Sequence, residues 1–146
     1  SYNYGAGNKE RVKDTMKRMI LVCLAGTLLL AGVAILAPQI YTGLFTNNQE
    51  LLKLTCQVMP VYFLGISIFG IQCACQTSFI SLGQAKVSLF IALLRKIILL
   101  IPLAIILPKF MGVMGIYRAE PSAEVISVVT TSVVFIYTMK KVLRNM

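Results

Sequence analysis

Residues 19–49 read MILVCLAGTLLLAGVAILAPQIYTGLFTNNQ, and residues 54–85 read LTCQVMPVYFLGISIFGIQCACQTSFISLGQA. Neither stretch contains an Asp, Glu, Lys or Arg. About 20 consecutive apolar residues are enough to span a bilayer as a helix. A soluble domain would need a polar face on such segments, so the two stretches predict an integral membrane protein. We therefore expect the lipid bilayer to be a partner of this chain.

The composition of the 146 residues supports the same interpretation. Hydrophobic residues make up 58% of the chain and charged residues only 13%, against about 25% charged residues in an ordinary soluble domain. The net charge of +9 does not indicate a nucleic-acid partner, because most of the Lys and Arg residues lie where hydrophobic segments end. That position is typical of the charges that set membrane topology.

Turn-like breaks divide the apolar sequence into four segments, which predict an all-α, polytopic transmembrane bundle. Each segment is long enough to cross a membrane, and the short joins make consecutive helices antiparallel neighbours. We expect residues 1–18 to form a loop before the first helix and residues 19–146 to form the transmembrane domain. The predicted helices are 19–44, 54–82, 87–108 and 112–139.

The positive residues at the ends of these segments are distributed unequally between the two sides. Only Lys53 and Lys109 fall on one side, whereas nine fall on the other. Since positive residues accumulate in the cytoplasm, we expect both ends of the chain to be cytoplasmic. The nine are Lys9, Arg11, Lys13, Lys17, Arg18, Lys86, Lys140, Lys141 and Arg144.

Two basic residues lie inside the third segment rather than in a join. Counting along the helix from Gln84 places Arg95 about 16 Å from the start of the helix, and Lys96 follows it. One interpretation is that their long side chains reach the inner headgroups. The alternatives are an ion pair with another helix or a contact with an anionic lipid.

The fourth segment carries the densest polar cluster of the hydrophobic sequence, YRAEPSAE at residues 117–124. Glu120 and Glu124 are four residues apart, so they share one face of a helix. Carboxylates at this depth usually face a bundle interior or a wet cavity, which makes this pair a candidate for proton or cation coupling. In the alternative, Glu120 pairs with Arg118 or with a base on another helix and only fixes the packing. Pro121 beside them can kink the helix, as in many transporters.

A milder polar stripe occurs in the second segment, where Gln72 and Gln76 are also four residues apart. Amide side chains in hydrocarbon need partners, so they either bond a neighbouring helix or line a cavity that recognises a ligand. We include both in the predicted substrate and cation pathway, together with Arg118, Glu120 and Glu124.

The sequence offers no catalytic or metal-binding pattern. It contains no His, and none of its four cysteines forms a CxxC pair, so zinc sites and the common nucleophile–base pairs lack their residues. A Walker-type glycine loop is also absent. We therefore expect no enzyme, no cofactor and no resident metal, and the energy for any transport would come from an ion gradient or from elsewhere.

Four stretches of the sequence resemble parts of the multidrug and toxic compound extrusion (MATE) family, and its MepA-like branch in particular. The opening SYNYGAGN at residues 1–8 is similar to a loop between the eighth and ninth helices of that family. QTSFISLGQAK at residues 76–86 is similar to the end of the tenth helix, and GVMGIYRAEP at residues 112–121 to the start of the twelfth. Residues 94–108, with prolines at 102 and 108, are similar to the eleventh.

The resemblance implies that these residues form the last four helices of a twelve-helix transporter, as part of its C-terminal lobe. The missing N-terminal helices of the same protein would then be partners, and so would small-molecule drugs. Members of that family exchange cationic or amphipathic drugs for Na⁺ or H⁺ by alternating access. The implied location is the bacterial plasma membrane.

One departure from the family limits what can be transferred to this chain. Some members bind a cation with an Asp in the tenth helix, but this sequence has no Asp or Glu between Glu50 and Glu120. Two other functions remain open from the sequence. One is a lipid-linked saccharide flippase of the same superfamily, which would need a strongly basic cavity. The other is a four-helix membrane scaffold or small exporter subunit.

Overall fold

The computed structural model describes residues 1–45 and 47–145, and the regular elements in these residues are all helices. Thr46, in the first predicted join, and Met146, at the end of the predicted transmembrane domain, lie outside the described residues. The helices are α1 (Tyr2–Gly5), α2 (Lys9–Leu36), α3 (Pro38–Thr42), α4 (Gln49–Ile66), α5 (Phe69–Ser81), α6 (Ala85–Leu93), a π-helix (Leu94–Leu100), α7 (Ile101–Met111) and α8 (Val113–Arg144).

Four helical spans are long and apolar enough to cross a membrane, which confirms the predicted all-α bundle. They are Lys9–Leu36, Gln49–Ser81, Ala85–Met111 and Val113–Arg144. The second span combines α4 and α5, and the third combines α6, the π-helix and α7.

The observed helices extend beyond the predicted apolar segments at several ends. Lys9–Arg18 belongs to α2 rather than to a loop, and α8 continues to Arg144. The difference arises because hydropathy marks only the apolar part of a helix, whereas capping and backbone hydrogen bonding decide where the helix begins and ends. Here the side chain of Asn8 accepts a hydrogen bond from the backbone N–H of Arg11, which caps α2. The division at residue 18 into a loop and a transmembrane domain stays a prediction.

The turn between the third and fourth spans depends on one glycine. Gly112 has φ 61° and ψ −145°, a conformation that is essentially restricted to glycine because a Cβ atom would be strained there. This backbone reverses the chain within a single residue, so α7 and α8 pack side by side.

Helix α8 lies at the centre of the packing and contacts α4, α5, the π-helix and α7. Its approach to α4 is closest where Gly65 faces Pro121, because a Cβ at residue 65 would overlap the Cα and Cβ atoms of Pro121. Helix α2 packs on the other side of α4 and α5, and Gly70 of α5 lies against the backbone of Cys23. Small residues at these two crossings let the helices approach closely.

Candidate functional site

Arg95, at the start of the π-helix, forms ion pairs with both carboxylates of α8. Its Nη2 atom lies 2.7 Å from Oε2 of Glu124 and 3.3 Å from Oε1 of Glu120. The Glu124 side chain is 1% exposed, and those of Arg95 and Glu120 are each 18% exposed. A carboxylate buried this completely needs a paired positive charge, and Arg95 provides it.

Lys96 adds a second positive charge at the edge of the same site. Its Nζ atom lies 3.3 Å from Oε1 of Glu120, and its side chain is 55% exposed. We call Arg95, Lys96, Glu120 and Glu124 the charge cluster. The cluster holds two positive and two negative groups, so its formal charge is zero.

Three local features place the charge cluster between the helices. The four-residue spacing of Glu120 and Glu124 puts both carboxylates on the face of α8 that meets the third span. The π-helix gives the third span a wider turn at Arg95 and Lys96, a device that often marks functional sites in helices. The guanidinium of Arg95 also lies over the ring of Phe69, 4.5 Å from its centre, and this cation–π contact connects the cluster to α5.

Gln72 lies fully buried next to α8, as the stripe in the second segment suggests. Its Oε1 atom accepts a 2.8 Å hydrogen bond from the hydroxyl of Ser127. Among the described residues, Nε2 of Gln72, both carboxylate oxygens of Glu124 and the hydroxyl of Thr131 are buried without a hydrogen-bond partner, and the contact of Oε2 of Glu124 with Arg95 is an ion pair only. Gln72, Glu124, Ser127 and Thr131 therefore form a buried polar seam between α5 and α8.

Gln76 does not join this seam. Its Nε2 atom donates a 3.4 Å hydrogen bond to the backbone carbonyl of Ser88 in α6. Gln72 and Gln76 therefore each form a hydrogen bond with a neighbouring helix, which is one of the two outcomes expected for these glutamines.

Arg118 also lies apart from the charge cluster, although it is close to Glu120 in sequence. Its side chain is exposed, and its Nη1 atom contacts the sulfur of Met111 at 3.7 Å. Residues two apart on a helix point in different directions, so Arg118 and Glu120 face different neighbours. The base that pairs with Glu120 comes from the third span instead.

The sequence identified the carboxylates but left the role of Arg95 open. The structure places Arg95 in an interhelical ion pair, one of the alternatives left open by the sequence. Ser127 and Phe69 were not among the predicted site residues. Glu120, Glu124, Ser127 and Thr131 follow one another at steps of four, three and four residues, and this helical spacing could have indicated a longer polar face.

Comparison with known proteins assigns the chain to a family. The family model MatE matches residues 1–106, which include Gln72, Gln76 and Arg95 but end before Glu120 and Glu124. Searches of curated proteins and of solved structures gave no match. The match spans well over half of the chain and, together with the four apolar spans, shows a multi-pass membrane protein. The chain therefore belongs to the MatE family and is a transporter of the MATE superfamily.

Proposed function

We propose that this chain is part of a secondary-active efflux transporter that exchanges cationic or amphipathic drugs for Na⁺ or H⁺. The observation that carries the proposal is the carboxylate pair held by Arg95 inside the helical bundle, in which Glu124 is buried and Glu120 is partly buried. Ionisable groups within a membrane are costly and usually mark an ion or substrate pathway.

The depth of the pair supports a role beyond packing at the interface. Glu124 lies eleven residues after Val113, about 17 Å along α8, which is about a third of the way along this helix of 32 residues. A residue that only anchored the helix end at the headgroups would not need to lie so deep.

The charge balance of the cluster suggests how exchange could work. Arg95 occupies the position that a Na⁺, a proton or an organic cation would take beside Glu124. A cation that binds there must weaken the ion pair with Arg95, and Arg95 can pair again once the cation leaves. Only one positive partner, Arg95 or the transported cation, would then be bound to Glu124 at a time, which is the requirement for exchange rather than co-transport.

The lipid-linked saccharide flippase is the alternative within the superfamily. A site for its anionic substrate would need basic groups free to bind phosphates. Of the three basic residues inside the third and fourth segments, Arg95 and Lys96 both pair with carboxylates, and Arg118 alone does not. This pairing favours the drug exporter. Membership of a transporter family disfavours the four-helix scaffold.

We also propose that the intact protein has twelve helices, belongs to the MepA-like branch and resides in a bacterial plasma membrane with both ends of this chain in the cytoplasm. An antibody against residues 140–146 would report the mass of the native protein in its source membrane. A band at about three times 16.1 kDa is expected, because twelve spans are three times the four spans found here. A band near 16 kDa would favour a four-helix exporter subunit.

Transport by the intact protein in proteoliposomes tests the proposed function. We expect a fluorescent organic cation to move against its gradient when either a Na⁺ or an H⁺ gradient is imposed, and not when both are dissipated. Movement of a lipid-linked saccharide without movement of the organic cation would contradict the drug exporter and support the flippase.

A further inference from the structure

An apolar groove opens on the bundle surface between α4, α7 and α8. Its volume is about 630 Å³. Gly65 contributes no side chain at the floor, where it lies against Pro121. The walls are apolar apart from Arg118 and Ser122, and they include Val61, Leu64, Leu107, Val125 and Ile126.

Arg118 is the one charged residue in the lining of this groove. Its side chain is exposed and contacts the sulfur of Met111, and no carboxylate lies within 4 Å of it in the part of the chain that the structure describes. It lies five residues after Val113, about 8 Å along α8. An arginine without a counter-charge at this depth is costly unless an anion or the headgroup region compensates it.

The two features together define one kind of ligand. An anionic headgroup satisfies the Arg118 guanidinium, whose fork of N–H donors matches a phosphate group. The apolar walls fit an acyl chain that runs from the headgroup along the groove. A cationic drug would be repelled by Arg118, and inorganic phosphate would leave the apolar walls empty.

We infer that this groove is a binding site for an anionic phospholipid, with the phosphate on Arg118 and one acyl chain between α4 and α8. The site is separate from the charge cluster, since Arg118 contacts none of its residues. The inference therefore does not depend on the proposed drug transport.

The experiment compares lipids retained by the intact protein after reconstitution in nanodiscs and gentle release for native mass spectrometry. The probes are phosphatidylglycerol, which is anionic, and phosphatidylcholine, which is zwitterionic. The variants are Arg118→Gln, which removes the charge, and Val125→Phe, which fills the groove and keeps Arg118. Lys109→Gln is the matched control, because Lys109 is an exposed cation near the same turn that does not line the groove.

We expect the wild type to prefer phosphatidylglycerol and Arg118→Gln to lose about fivefold in its retention, the effect of one basic residue near an anionic headgroup. Val125→Phe should lower retention as well, and Lys109→Gln should leave it unchanged.

Equal retention by Arg118→Gln and the wild type would overturn the inference. So would equal retention of the two lipids, or full displacement by inorganic phosphate, which would show a simple phosphate site. If another helix of the intact protein covers the groove, neither variant will change lipid retention, and the inference is again wrong.

Discussion

At the scale of single residues, the pairing of Arg95 with Glu124 is the shortest ion pair among the described residues. Both partners lie in the bundle interior and are joined at 2.7 Å, where water screens their attraction little. The pair formed by Lys96 and Glu120 has a longer separation of 3.3 Å and an exposed lysine. The two contacts should therefore differ greatly in their contribution to stability.

We predict that Arg95→Gln lowers the free energy of unfolding by about 3–5 kcal/mol, since it leaves a buried carboxylate without a partner. Lys96→Gln, the matched control one residue away, should cost about 0–1 kcal/mol, as exposed ion pairs do. Denaturant titration of the purified protein in detergent measures both values.

A double variant separates pairing from other effects of the arginine. Arg95→Gln combined with Glu124→Gln removes the unpaired charge, so it should be more stable than Arg95→Gln alone. If the double variant is no more stable, the cost of losing Arg95 does not come from its ion pair, and the cation–π contact with Phe69 becomes the better explanation.

The sequence could predict these carboxylates but not their partner. The spacing of Glu120 and Glu124 lies within one helix, where the period of the backbone fixes which side chains are neighbours. Arg95 lies on a different span, and its direction depends on the π-helix and on how the third and fourth spans rotate against each other. No local pattern in the sequence specifies that rotation. The same reason explains why the partner of Gln72, Ser127, was missed.

At the scale of helices, a glycine at each of two crossings lets the helices of the bundle pack closely. Gly65 meets Pro121 where α4 crosses α8, and Gly70 meets the backbone of Cys23 where α5 crosses α2. The four spans themselves were predictable, because more than twenty apolar residues in sequence mark a span whatever its packing. The crossings were not, because Gly26 and Gly32 look the same in the sequence and face open space.

We predict that Gly65→Ala destabilises the packing of α4 against α8, because the added Cβ would overlap Pro121 and force the helices apart. The expected loss is about 1–3 kcal/mol in the free energy of unfolding. Gly26→Ala is the control, since a Cβ at residue 26 meets nothing within 4 Å and alanine is the better helix former. Equal effects of the two substitutions would show that the crossing is not as close as described.

At the scale of the whole molecule, burial is unequal among the four spans. In the most apolar part of each span, 33% of the residues are buried in the second and fourth spans, against 11% in the first and 6% in the third. The third span, the least buried, is joined to the fourth both by the packing of α7 against α8 and by the charge cluster. The exposed apolar faces are those expected to meet lipid or further helices of an intact transporter.

The orientation of the whole molecule is predicted from charge alone and stays a prediction. A fluorescent protein that folds only in the cytoplasm, fused after Met146, should be fluorescent in cells if the positive residues set the topology as expected. The matched fusion in the 82–86 turn should also be fluorescent. A dark fusion after Met146, with the protein present in the membrane, would reverse the assigned orientation.

Drug efflux by cells that express the intact protein with Glu124→Gln is the measurement we would make first. The account predicts that efflux of an organic cation is lost while the protein remains in the membrane, because the cation and the coupling ion no longer share a buried carboxylate. Glu50→Gln, at the exposed start of α4, should leave efflux unchanged. Full efflux by Glu124→Gln would contradict the account and would make the charge cluster a purely structural ion pair.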